Sequence, residues 1–217
     1  RAKKLTQKFG GNSIILASPK QRLVPVASGQ AGEYPKLMLT TGCCTHPSYN
    51  TSNDVGREAQ DDHEYGFVSV DILNNKHYLP RIVNAQKNGT FIDLGIKYEQ
   101  GKKPSKAKTL ALVVGDSHVA EINPKVEKAN REMIKWFEPK HIHYNDVFAA
   151  RSINLHELDD TIATANKFAE GKTNLREELI LPAEYIMENA LIAEKFGGEI
   201  VINYSNHDDM LYRWLTK

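Results

Sequence analysis

The chain has 217 residues, a net charge of +1, 41% hydrophobic residues and 25% charged ones. These proportions are ordinary for a globular protein with room for one large domain or two small ones. They exclude the global basic field that announces nucleic acid, though not a local patch, and no apolar run approaches the roughly 20 residues of a membrane span. No signal peptide is visible. The chain opens on Arg1 and closes at Lys217, nine residues after Asp208, so we expect a fragment of a longer protein.

Residues 1–12 are basic, with Lys3, Lys4, Lys8 and Gly10-Gly11, and read as a linker or the ragged start of an element. Residues 13–101 read as β, without helical periodicity. Residues 13–17, 23–27 and 36–41 are short runs broken by Pro19, Pro25, Gly29 and Pro35. Residues 64–73 make a stronger strand, in which Tyr65, Phe67, Ser69 and Asp71 alternate against Val68, Val70 and Ile72. Asn74-Asn75 suits a tight turn, and residues 76–83 return as the second arm of a hairpin. After a turn at Asn88-Gly89, residues 90–98 read as one more strand. The polar residues 45–62 read as a long loop, with His46 and His63 as surface side chains. Cys43 and Cys44 are adjacent, where a bridge would be strained, so they read as free thiols and the location as cytoplasmic. Residues 101–108, with Pro104 and Lys102, Lys103, Lys106 and Lys108, read as a linker.

From residue 109 the character changes to alternating β and α. The apolar run 110–114 is one buried strand, ending in Gly115 and followed by Asp116 and His118. Residues i and i+2 share a direction on extended backbone, so Asp116 and His118 are expected to converge just past the strand. Asn123 is a plausible N-cap with Pro124 in the first turn, and Val126, Ala129, Met133 and Phe137 fall on one helical face. Residues 141–144 form a strand that ends in Asn145-Asp146. Residues 155–168 and 177–196 read as helices, the second stopped by Gly197-Gly198. A last strand near Ile200 delivers Ser205, Asn206, His207 and Asp208. The succession predicts a mostly parallel layered α/β sheet covered by helices. The expected division is a β-rich domain over 1–105 and a layered α/β domain over 106–217.

Parallel strands share direction, so all three strand ends should meet at one edge of the sheet, where open α/β sheets bind their ligands. Carboxylate, imidazole and amide oxygen suit Mn²⁺, Fe²⁺ or Zn²⁺, and a carboxylate can bridge two ions about 3.5–4 Å apart. The order Asp-x-His, then Asp after a strand, then Asn-His-Asp after a strand resembles the calcineurin-like metallophosphoesterase superfamily. The likeness is closer to phage-encoded DNA nucleases with a β-rich N-terminal region, through residues 41–45, 65–73, 91–95, 146–148 and 152–154.

This resemblance implies a metal-dependent phosphodiesterase that hydrolyses DNA with two divalent ions, Mn²⁺ first, with Fe²⁺, Zn²⁺ or Mg²⁺ as alternatives. It implies Asp116 and His118 on the first metal, Asp146 as the bridge and Asn206 on the second metal. His207 would face the scissile phosphate and Asp208 would orient it. Asn154 and His156 would contact substrate or support the ligands. The sequence departs from the pattern at Asn145 and Ser205, where Gly is usual, and at Ala149, where an Asp or Asn is usual. The later histidine motifs of that superfamily are absent from the chain, in keeping with the expected truncation. A nucleic-acid-binding or assembly module with a degenerate core, or a phosphatase on the same core, are the competing functions. A homo-oligomer through the β-rich domain is the expected assembly.

Overall fold

The computed structural model describes residues 4, 7–8, 11–26, 36–74, 77–154, 157 and 160–216. His156, the Asn75-Lys76 part of the hairpin turn, residues 27–35 and most of the basic start lie outside them. The architecture is mixed α/β with several separate sheets. The chain forms two compact units, Arg1–Ala107 and Lys108–Lys217.

The first unit carries eight strands among its described residues: β1 (Ile14–Leu16), β2 (Ser18–Val26), β3 (Lys36–Gly42), β4 (Gly66–Ile72), β5 (Tyr78–Asn84), β6 (Phe91–Asp93), β7 (Ile96–Tyr98) and β8 (Ser105–Lys106). β3 lies between β1, parallel, and β2, antiparallel. β4 and β5 form the antiparallel hairpin expected from their alternation.

Three local readings change. The expected strand over 90–98 is two strands, because Leu94 and Gly95 both take positive φ, 49° and 80°, as a two-residue hairpin turn requires. Part of the expected linker, Ser105–Lys106, pairs with β7. The polar loop contains a helix, α1 (Asp54–Asp61), started by Asn53, whose side chain accepts from Gly56 N. His63, read as a surface side chain, is held in place, with Nδ1 at 2.8 Å from Tyr49 Oη and Nε2 at 2.9 Å from the Thr45 carbonyl. Neither cysteine is in a disulfide.

The second unit is a three-stranded parallel sheet in the order β11-β10-β9, made by β9 (Ala111–Asp116), β10 (His141–Asn145) and β11 (Glu199–Ile202). The helices are α2 (Pro124–Phe137), α3 (Thr161–Ala169), α4 (Leu175–Glu194) and α5 (Asn206–Leu215). Asn123 caps α2 through a bond to Lys125 N, with Pro124 in the first turn, as read from the sequence.

One face of the sheet supplies Val114, Ile142 and Tyr144 to a core completed by Ile134 of α2 and by Tyr185 and Ala193 of α4. Tyr185 Oη donates to the buried Glu127 at 2.8 Å. Burial pushes the Tyr144 hydroxyl up to about 12 and the Tyr185 hydroxyl further still, so both remain neutral. Among the described residues no helix is long and apolar enough to cross a membrane.

Candidate metal centre

All three parallel strands end at the same edge, and the residues that follow them build the site. The register of β9 against β10 shifts there: Val113 pairs with His143, but Asp116 pairs with Asn145, so Tyr144 faces two residues of β9. Such a bulge re-aims whatever follows it. Asp116 is still in the strand and exposed. His118 has left the strand and takes left-handed backbone, φ 37° and ψ 65°. The two-residue alternation therefore stops before it reaches His118, and Asp116 is not in the ligand cluster.

Asp146 follows β10 with the same unusual backbone, φ 43°. Non-glycine residues rarely take this conformation, and where they do the surroundings hold them. Here the loops after β9 and β10 hold one another. Ser117 N donates to Asn145 O at 3.1 Å, His118 N to Asp146 O at 2.7 Å, and Val119 N to Val147 O at 3.1 Å. The strand ends are also braced by amides that the sequence did not mark as functional. Asn145 Nδ2 donates to Val114 O at 2.7 Å, and Asn203 Nδ2 to Asn145 Oδ1 at 2.7 Å. Asn145 thus uses the side chain that glycine would lack.

His207 lies in the first turn of α5, after β11. Ser205 caps this helix reciprocally with Asp208: Ser205 N and Oγ donate to Asp208 Oδ2 at 3.0 and 2.9 Å, and Asp208 N donates to Ser205 Oγ. The Asp208 oxygen that serves the cap is Oδ2. Asn206 begins the helix and is exposed. Replacing Ser205 by Ala removes the cap, which costs about 1 kcal/mol and, in a chain this size, a melting shift of roughly 2–4 °C. An unchanged thermal melt would contradict the cap's contribution.

His118, Asp146 and His207 converge, each half-buried, with a ligand atom on each lying within 4.8 Å of the others. The His118 and His207 rings meet edge to face, centroids 4.8 Å apart. His207 Nδ1 and Asp146 Oδ1 approach to 3.3 Å, yet both are buried and neither makes a hydrogen bond. The contact has the distance of an ion pair but not the alignment of a hydrogen bond, so the missing hydrogen bond is the more telling fact. Two ligands on one zinc or similar ion, each about 2.0–2.2 Å from it, stand about 3–3.5 Å apart. The 3.3 Å contact fits that spacing, while the limit of 4.8 Å for the whole group is wider than a filled shell. Two imidazoles and one carboxylate are a ligand set for a single transition-metal ion with positions left for water or substrate.

A cleft of about 470 Å³ opens beside the cluster, lined by His118 and His207 and by Arg151, Asn154, Lys167 and Lys172. Each cation has an acidic partner: Arg151 Nε donates to Glu121 at 2.5 Å, Lys167 pairs with Glu157 at 2.5 Å, and Lys172 pairs with Glu170. Ala149, where the resemblance expects an amide or carboxylate, also lines the cleft.

Comparison with family models, with curated proteins and with solved structures found no match.

Proposed function

We propose that this chain carries the metal centre of a divalent-metal-dependent phosphodiesterase acting on DNA, of the calcineurin-like, phage-type kind that its motifs resemble. The observation that carries the reading is the pair of buried, hydrogen-bond-less atoms, His207 Nδ1 and Asp146 Oδ1, 3.3 Å apart beside His118. Burying polar atoms without partners is costly, and a cation between them removes the cost.

His118, Asp146 and His207 would hold the ion. When bound, such an ion polarises a phosphoryl oxygen and makes water a competent nucleophile near neutral pH. The chain's own residues then orient the substrate. Arg151, Lys167 and Lys172 line the cleft and would reach phosphate oxygens only by exchanging their present partners Glu121, Glu157 and Glu170, and Asn154 offers an amide. The positive end of α5 lies on the same side as His207 and favours an anion there. The two-ion form of the mechanism would add Asp116 and Asn206 as ligands, with Mn²⁺ the first candidate ion. Water would be the nucleophile: it bonds to phosphorus as the bond to the leaving sugar oxygen breaks, and that oxygen takes up a proton from solvent.

A second reading has an observation in its favour. Asp116 is exposed and outside the cluster of His118, Asp146 and His207, Asn206 is exposed, and Ala149 stands where the resemblance expects a polar residue, as in a core that binds nucleic acid without cutting it. The test incubates the protein with linear duplex and single-stranded DNA, and separately with a phosphate monoester, in Mn²⁺, Zn²⁺, Mg²⁺ or EDTA. We expect DNA cleavage with Mn²⁺ that EDTA abolishes. DNA binding without cleavage in any metal would install the binding-module reading, and turnover of the monoester alone would install a phosphatase.

A further inference from the structure

We infer that Glu178 is a positioning residue for the metal centre: its buried carboxylate clamps the loop leaving Asp146 and so sets how that ligand faces the ion. The inference rests on reading His118, Asp146 and His207 as metal ligands.

Glu178 lies in the first turns of α4, only 9% exposed. Its Oε1 accepts from Arg151 N at 2.5 Å, and its Oε2 accepts from Ser152 N at 2.9 Å and from Ser152 Oγ at 2.6 Å. An ionised carboxylate is acceptor-only, so three converging donors suit it and would suit no neutral side chain as well. Hydrogen bonds to a charged acceptor are also the strong ones.

The loop needs such a clamp. Asp146 and Ala150 both take left-handed backbone, φ 43° and 52°, within five residues. Alanine has no side-chain oxygen with which to stabilise that conformation locally. It persists only where neighbours over-determine it. At the upstream end the backbone is tied to the β9 loop through His118 N and Val119 N. Beneath, Phe148, Ala150 and Ile153 pack with Leu175 of α4 and with Met210 and Leu211 of α5. At the downstream end Glu178 ties the backbone, beside the Arg151 side chain's pair with Glu121.

The same loop therefore touches the helix that bears His207, and its exit is fixed by the helix that bears Glu178. Loss of the clamp frees the exit, and the strained residue nearest the ion is free to relax. The same tie governs Arg151, whose amide is held by Glu178 while its guanidinium lines the cleft.

A purely structural Glu178 would lower the melting temperature and leave the ion's surroundings alone. The test therefore reads the ion. Glu178→Gln keeps the size but turns an NH₂ group against N–H donors, and Ser152→Ala removes one bond from the loop side. Mn²⁺ affinity is measured by calorimetry, and the visible absorption of the Co²⁺-loaded protein is recorded, at a temperature where circular dichroism finds each variant folded. For Glu178→Gln we expect Mn²⁺ affinity to fall about tenfold, the scale of losing an outer support of a ligand, with displaced Co²⁺ bands. Ser152→Ala should shift both in the same direction by less. Parent affinity and parent bands in Glu178→Gln would overturn the inference, as would their retention in Ser152→Ala should Glu178→Gln not fold. A parent protein that binds neither ion would instead remove the metal-centre reading, and the clamp's purpose with it.

Discussion

Asp146→Asn is expected to abolish the stabilisation that Mn²⁺ confers on the parent protein. Binding to the folded state alone, at an ion concentration 100 times the dissociation constant, adds about 2.7 kcal/mol. In a chain this size that is a rise of roughly 5–10 °C in melting temperature. Asp146 is the only carboxylate in the three-residue cluster, so its replacement removes all the negative charge the cluster offers a cation. Asparagine is the informative substitution because it keeps the shape and tolerates the left-handed backbone at φ 43°. Alanine would confound the measurement by adding backbone strain to the metal-free protein. The comparison is the melt of each protein with and without Mn²⁺. A rise in the variant equal to the parent's would show that the ion binds elsewhere.

What could be read from the sequence depended on whether a signal was carried by periodicity or by backbone conformation. The three strands of the second unit and helices α2 and α4 were legible as elements, because their apolar runs were bounded by Asn123-Pro124 and Gly197-Gly198, but the buried faces were not: Val126 and Ala129 of α2 are exposed and Ile134 reaches the core, and Leu179, Met187 and Leu191 of α4 are exposed. Helix α1 was not legible, since it is only eight residues long and none of its residues is buried. The turn that splits residues 91–98 was hidden by Leu94, a residue that seldom takes positive φ.

The site divides the same way. That residues after β9, β10 and β11 would meet followed from parallel strand direction, and His118, Asp146 and His207 do meet. Which atoms meet did not follow. The bulge opposite Tyr144 and the left-handed turn at His118 separate Asp116 from its expected partner. Asp208 had a readable signal, Ser205 three residues before an acid, which marks a reciprocal helix cap. The orienting role expected of it competes with that cap for the same carboxylate. Glu178 had no signal, because its partners are two backbone amides and one hydroxyl of a distant loop.

His207→Ala separates two roles that the sequence and the geometry assign differently. Adjacent side chains diverge from the backbone, so with Asn206 on a metal His207 would face the substrate and stabilise charge there. Its loss would then leave metal affinity intact and cost about 10²–10³ in rate at saturating Mn²⁺. In the structure Asn206 is exposed, and His207 Nδ1 is buried at 3.3 Å from Asp146 Oδ1 with His118 beside it. That arrangement makes His207 one of three ligands. Removing it leaves one imidazole and one carboxylate, and Mn²⁺ affinity should fall by more than the about 10–100-fold that loss of an outer support costs. Cleavage should fall with it at limiting Mn²⁺ and recover in part when the ion is added in excess, because a vacated ligand position fills with water. A substrate-facing imidazole gives neither the affinity loss nor the recovery. Calorimetry and cleavage rates over a range of Mn²⁺ concentrations therefore decide, and unchanged affinity in the variant would return His207 to the substrate side of the ion.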